Sequence, residues 1–381
     1  MGRSRLSSQD GTGPLRILEV GNHNLFARAV PDQTDYFYAG HRRKALVPLG
    51  PIQFLRVLRR LRRGEYDLVV LHAARFSPWH PRTVLPILRD RLLLAYPWLF
   101  APYAWRFLHR FHHVPVVAID LSDTFGIGRH NFFLLDRSRA FFKRELPSDR
   151  WLVFFKSGHW DLPGKRWRQK RRNRRRMEKL RPVSLGEGSE ILPRRSTVAK
   201  TTDVFFAGDP FPGPTPRLDG IAELNALKEE GFRIDIPDKT LPYDEYIERL
   251  GAAWLAWSPA GYGWDCHRHY EAAAIGTVAL ANYPTILRDQ PFRDGEHCLF
   301  YAPQAGELAA TVREALEDKP RLTRIADAAH AHVNRHHTFT ARAERITVAV
   351  LDRRLDGTPA TQSSGDTADK TVQTFDPSRT P

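Results

Sequence analysis

Arg268 and Glu271 stand three residues apart in the run HRHYEAAAIG, just after a loop that holds Gly261 and Gly263. On a helix that spacing puts a cation and a carboxylate on one face. The guanidinium suits a diphosphate, and the carboxylate can accept hydrogen bonds from the two hydroxyls of a ribose. Glycines let the loop backbone approach a ligand closely, and a helix N-terminus adds unpaired N–H groups and the positive end of a dipole. One helix face therefore has the chemistry to bind both halves of a nucleoside diphosphate. The plainer reading is an i, i+3 ion pair between Arg268 and Glu271, worth only about 0.2–0.5 kcal/mol, with Gly276 as a helix C-cap.

Such a face needs a strand before it and a sheet beneath it. The second half of the chain supplies both, as an alternation of apolar runs and amphipathic segments. Strands are expected at Asp203 to Ala207, Phe232 to Ile236, Ala252 to Trp257 and Val278 to Ala281. Helices are expected at Leu218 to Glu230, Tyr243 to Leu250, Arg268 to Ile275, Glu307 to Leu316 and Leu322 to Asn334. That grammar implies a parallel sheet with helices on both faces, which binds ligands beyond the carboxyl ends of its strands. The first half repeats the pattern less regularly. Strands are expected at Leu15 to Val20, Tyr66 to Leu71, Val114 to Ile119 and Arg150 to Phe155, with a helix from Ile52 to Leu61 and an aromatic, inward-packing segment from Phe132 to Phe142. The expected organisation is a disordered start (1–13), a first α/β lobe (14–160), a basic linker (161–200), a second α/β lobe (201–350) and a polar, disordered tail (357–381).

In its second half the sequence resembles the C-terminal domain of GT-B glycosyltransferases, the group-1-like subset that includes spore-maturation-type proteins, and more distantly the exostosins. The resemblance spans Asp203 to Ala349. It rests on the opening strand with Gly208, the core R-x-x-E-A-x-x-x-G at Arg268, Glu271, Ala272 and Gly276, the run DGEHCLFY from Asp294 to Tyr301, and Glu307-Leu308 followed by HTFTARAERI. It implies two Rossmann-like lobes facing a cleft and a reaction that moves a sugar from a nucleotide-sugar to a hydroxyl of a glycan, lipid or protein. Gly208, Gly261, Gly263, Asp265, Arg268 and Glu271 would bind the donor, Arg268 at the phosphates and Glu271 at the ribose. Many retaining members of the family carry a second Glu eight residues before this one. Here that position is Gly263, with Asp265 only six residues before Glu271, so the stereochemical course is left open. In the first lobe His72, Asp120 and His23 end or follow expected strands and are the candidates for catalysis in the cleft. An inverting reaction would draw its base from such groups, and a retaining one would use them for positioning. A loop histidine or a capping aspartate is the simpler role for each.

The family generally needs no catalytic metal, and the sequence holds no D-x-D triplet. Cys266, His267, His269 and Cys298 include zinc-ligand types, but their crowding departs from the usual separated pairs. No cofactor is expected beyond the nucleotide-sugar co-substrate. With only two cysteines in 381 residues there is no disulfide framework, which fits a reducing compartment. The opening MGRSRLSSQDGTG lacks the apolar core of a secretory signal. The longest apolar stretch, Leu92 to Trp105, is broken by two prolines and falls short of the roughly 20 residues of a spanning helix. A cytoplasmic location is expected. Ten of the fifteen net positive charges lie between Lys165 and Pro182. Such a run suits an anionic membrane surface, to which the arginine-laden 52–63 segment would add; its other readings are a solvated linker or a nucleic-acid contact. The rival to an enzyme is a non-catalytic binding protein that uses the basic segment 165–181.

Overall fold

A computed structural model describes residues 13–38, 51–74, 114–154, 170–186, 195–209, 216–358 and 360. The Leu92 to Trp105 stretch, both chain ends and the first part of the basic run lie outside the described residues. Two α/β lobes each rest on a wholly parallel sheet.

The first sheet has the order β2-β1-β3-β4-β5-β6. Its strands are β1 (Ile17–Gly21), β2 (Thr34–Tyr38), β3 (Leu68–His72), β4 (Val116–Asp120), β5 (Ala140–Lys143) and β6 (Leu180–Pro182). Strands β1, β3 and β4 are buried at every position, as central parallel strands covered on both faces must be. The register sets His72 beside Ile119 and Asp120 beside Lys143. The carboxyl ends of β1, β3, β4 and β5 thus share one edge. Helix α1 (Leu25–Ala29) lies on one face; α2 (Pro51–Arg62) and α3 (Phe132–Arg137) lie on the other.

The second sheet has the order β11-β10-β9-β7-β8, from β7 (Thr202–Phe205), β8 (Ile234–Asp235), β9 (Ala253–Trp257), β10 (Val278–Asn282) and β11 (Leu299–Tyr301). Around it pack α5 (Arg217–Glu229), α6 (Tyr243–Gly251), α7 (His267–Ile275), α8 (Glu307–Glu317) and α9 (Lys319–His336). Helix α7 stops at Gly276, whose φ of 84° is the left-handed cap that glycine adopts without strain.

Three expectations need correction. Arg150 to Phe155 is no strand: residues 150–154 form a 3₁₀ turn whose Val153 and Phe154 are buried, Phe154 meeting Phe132 edge-on at 5.7 Å. Periodicity alone does not tell a short apolar run in a strand from one in a tight turn. The expected linker 161–200 is partly core, because Arg171–Glu178 is a helix (α4) and Leu180–Pro182 completes the first sheet. Arg176 donates to both carboxylate oxygens of Asp136 at 2.8 Å and lies 4.7 Å from the Phe132 ring centroid, so part of the basic run is structural. Finally, α10 (Phe339–Leu351), expected with the second lobe, returns to the first. Its Ala343, Ile346 and Val350 pack with Phe26, Ile17 and Val70, covering apolar surface that the sheet would otherwise expose.

Candidate functional site

Strand β7 ends in a turn through Phe206, Ala207 and Gly208, and α5 begins at Arg217. Strand β9 runs into the loop 258–266, and α7 follows. These two strand-to-helix connections bring two arginines to one aromatic ring. Arg268 lies 5.2 Å and Arg217 6.0 Å from the Phe206 centroid. Each donates to a carbonyl of the first turn, Arg268 to Ala207 at 2.7 Å and Arg217 to Asp209 at 2.6 Å. Both are more than nine-tenths buried, yet among the described residues Arg268 Nε and Nη1 and Arg217 Nε have no hydrogen-bond partner. Burial, with the nearby Arg268 charge, pushes the Arg217 guanidinium below its usual pKa. A buried, underbonded cation beside a like charge is unfavourable, and an anion between the two would relieve both defects.

The glycines clear a path for these side chains. A Cβ at Gly208 would sit 2.6 Å from Arg268 Nη2, and one at Gly261 would sit 2.6 Å from Arg217 Nη2. Further along the same helix Glu271 accepts a hydrogen bond from the Tyr246 hydroxyl at 2.8 Å. Its partner is thus Tyr246 rather than Arg268, and burial raises its carboxyl above the ordinary range. The loop itself is held at the end of β10. Asn282 accepts from Ala260 N–H at 2.8 Å through its side chain and from Trp264 Nε1 at 2.7 Å through its carbonyl.

Asp265 does not join this group. It is buried, and its carboxylate accepts from Leu185 N–H at 2.6 Å and from the Tyr270 hydroxyl at 2.5 Å, so it ties the interlobe crossing to the loop instead of facing a donor. Three of the four residues weighed for zinc have other partners. His269 Nε2 lies 3.0 Å from Ser258 O and its ring stacks on Trp264 at 4.6 Å, His267 Nδ1 lies 3.2 Å from Gly186 O, and Cys298 Sγ meets Arg293 O at 3.6 Å. Among the described residues no group of three or more His, Cys, Asp or Glu is placed to hold a metal ion.

Across from the loop, the first lobe brings His23, His72 and Asp120 to one edge. The His23 and His72 rings are 5.6 Å apart. His72 Nε2 lies 2.9 Å from Glu19, whose carboxylate also accepts from Phe26 and Ala27 N–H at the start of α1. Asp120 accepts from Lys143 Nζ at 2.9 Å and from Ser122 N–H at 3.0 Å. Burial opposes its charge, but Lys143 and Ser122 outweigh that and hold the carboxyl below the usual range. Asp120 is thus an ion-paired carboxylate at the end of β4. His23 is pushed down to about 3 by burial and then by His72; it also feels Asp120, Arg144 and, from the second lobe, His267. It faces the second lobe as a neutral imidazole.

Arg217, Phe206 and Tyr246 had not been singled out in the sequence. The usable signal for Arg217 was its position at the first turn of a helix that follows a buried strand.

Residues 240–347 match the family described as glycosyl transferase-like. No curated protein matches the chain significantly. Among solved structures, Anabaena HepE in complex with UDP is 13% identical, covers 88% of this chain and 99% of its own, and superposes with a TM-score of 0.53. A glycosyltransferase from Rickettsia africae is 9% identical over 88% and 97% of the two chains, with a TM-score of 0.55. Sucrose-phosphate synthase from Thermosynechococcus elongatus is 10% identical over 88% and 98%, with a TM-score of 0.51. At such identities the likeness is one of fold, and it extends over both lobes. The family match falls on the lobe that carries Arg268 and Glu271, so that segment is glycosyl transferase-like, and the two-lobed fold is the one these solved glycosyltransferase structures share.

Proposed function

We propose that the protein transfers a sugar from a nucleotide-sugar held by the second lobe to a hydroxyl of a glycan, lipid or protein acceptor held in the cleft. The observation that carries this reading is the pair of buried guanidiniums, Arg217 and Arg268, with N–H groups that find no acceptor among the described residues. When the glycosidic bond to the diphosphate breaks, negative charge builds on the leaving oxygens, and fixed cations in a dry site stabilise that charge more than they stabilise the substrate. The two arginines would supply the positive charge that a metal ion supplies in other phosphate-leaving reactions, so activity in a chelator is expected. Glu271, steadied by Tyr246, receives the ribose hydroxyls. His23 contacts the acceptor hydroxyl as a hydrogen-bond partner. HepE has been solved with UDP and with UDP-glucose, which favours a uridine nucleotide here.

The test is calorimetry and thermal shift with UDP, GDP, ADP, CMP and their sugar conjugates, without metal, on wild type and Glu271→Ala. One nucleotide should saturate wild type and fail on the folded variant. No binding by any nucleotide to folded wild type would overturn the reading.

Peripheral contact with an anionic membrane, on the cytoplasmic side, is the second part of the proposal. Helix α2 exposes Ile52 (68%) and Leu55 (53%) beside Arg56 and Arg59, and α4 exposes Arg171 and Arg175. Among the described residues no helix is long and apolar enough to cross a membrane. Co-sedimentation with phosphatidylglycerol vesicles, but not with phosphatidylcholine alone, is expected. Equal recovery with both would remove the membrane from the reading.

A further inference from the structure

After β5 the chain leaves the first sheet and lies along the second lobe. Pro147 bridges Ile286 in antiparallel sense, and Leu287 N–H donates to Leu146 O at 2.7 Å. The preceding pair reaches the donor loop itself. Glu145 is fully buried; its Oε2 accepts from Trp264 N–H and its Oε1 from Asp265 N–H, both at 2.9 Å. Arg144 donates to the Asp265 carbonyl and to Asp123, and its Nε lies 3.5 Å from Glu145 Oε1. Two consecutive N–H groups at the C-terminal end of the loop 258–266 thus find their acceptors on the opposite lobe. Gly263 completes the fit, because a Cβ there would stand 2.6 Å from Glu145 Oε1.

Packing alone does not call for a carboxylate at this point. A buried charge is unfavourable unless it is bonded and paired, and an apolar side chain would fill the same space with less penalty. What the carboxylate supplies is two acceptors at once, in the geometry of a cap, for N–H groups that would otherwise be buried and unpaired. Arg268 begins three residues beyond Asp265, and Gly261, beside Arg217, lies two residues before Gly263. The conformation capped by Glu145 is therefore the one that sets the two guanidiniums.

We propose that Glu145 is a positioning residue of the donor site, supplied by the acceptor lobe: by capping Trp264 and Asp265 it orders the loop that presents Arg268, so that donor binding depends on the lobes being docked. This rests on the reading of the 258–276 segment as the donor site.

The experiment measures UDP affinity by calorimetry and amide exchange of the 261–266 segment without nucleotide, in wild type, Glu145→Ala, Glu145→Gln, Gly263→Ala and the Glu145→Ala/Gly263→Ala double variant. Glu145→Ala should weaken UDP binding roughly ten- to a hundredfold, the loss expected when a buried acceptor disappears, and should speed exchange in the loop. Glu145→Gln keeps one acceptor and should fall between the two. Gly263→Ala, which displaces the carboxylate, should weaken binding alone and add nothing once Glu145 is alanine. Unchanged UDP affinity and loop exchange in folded Glu145→Ala would overturn the proposal, as would losses that simply add in the double variant. Should Glu145→Ala not fold, Glu145→Gln and Gly263→Ala decide the matter by the same criteria. If wild type binds no nucleotide the donor reading fails, and the exchange rates still decide whether Glu145 orders the loop.

Discussion

The two edges that face the cleft handle buried charge in opposite ways. On the first lobe the charges are matched: Lys143 meets Asp120 and Ser122, and Glu19 is shared between His72 and the start of α1. On the second lobe Arg217 and Arg268 share one phenylalanine ring, and three of their buried N–H nitrogens have no partner among the described residues. Matched buried charge holds a strand edge in shape, whereas underbonded charge of one sign is unfavourable until a ligand arrives.

That contrast can be broken most forcefully at Asp120. Asp120→Ala strands Lys143 inside the sheet and should destabilise folding by about 3–5 kcal/mol, read as a fall in the urea midpoint. If the variant unfolds at the wild-type midpoint, the first edge is not held by matched charge. The opposite sign is expected at Arg217. Arg217→Met should remove about 2–3 kcal/mol of donor binding, as the loss of a charged hydrogen-bond donor does, while leaving stability equal or slightly higher because a like-charge contact disappears. A variant that binds UDP normally would make Arg217 part of the scaffold.

A pH titration sharpens the comparison at a smaller scale. Burial pushes Glu145 up to about 7, against an ordinary value near 4.5, with Arg144 and the two N–H bonds opposing the shift. The docked state therefore binds this proton more tightly than the unfolded chain. The resulting stability is fully present below pH 4.5 and is lost as pH rises through 7. Urea midpoints of wild type should fall across that window relative to those of Glu145→Gln. Parallel curves would mean that Glu145 titrates normally. The smallest effect is expected on the surface: neutralising Arg171 and Arg175 should change stability by under about 0.5 kcal/mol and leave UDP affinity alone, while reducing recovery on anionic vesicles.

What was legible in the sequence follows the range of the interactions. In the second lobe each helix and every strand but β11 announces itself locally, and the loop from Ser258 into α7 sits where the alternation places it. Strands β2, β5 and β6 of the first lobe were missed, as was the three-residue β11 of the second. The first has the sequence TDYFY, with polar and aromatic residues mixed at the sheet edge. The second is four residues long, and the third is hidden at the end of the basic run. Missing β5 had a cost at the site. Without its register beside β4, Asp120 looks like a free carboxylate at a strand end, although Lys143 is its neighbour across the ladder. Strand ends drew attention to His72 and His23, whose rings the fold brings to 5.6 Å at one edge, because that rule needs only the strand. Glu145 carries no local mark at all: its two N–H partners lie some 120 positions away on another lobe. Gly263 was noticed as a departure from a family pattern, and the reason for a glycine there emerged only with the side chain that crowds it.

The return of α10 to the first lobe bears on the order in which the molecule is made. On the ribosome β1, β3 and β4 emerge early, yet the face that holds Ile17, Val70 and Ile119 is closed by Ala343, Ile346 and Val350, among the last of the described residues to be synthesised. The lobe that begins first is thus finished last, after the second sheet has been laid down, and until then it carries an open apolar face for chaperones to shield or for other nascent chains to meet.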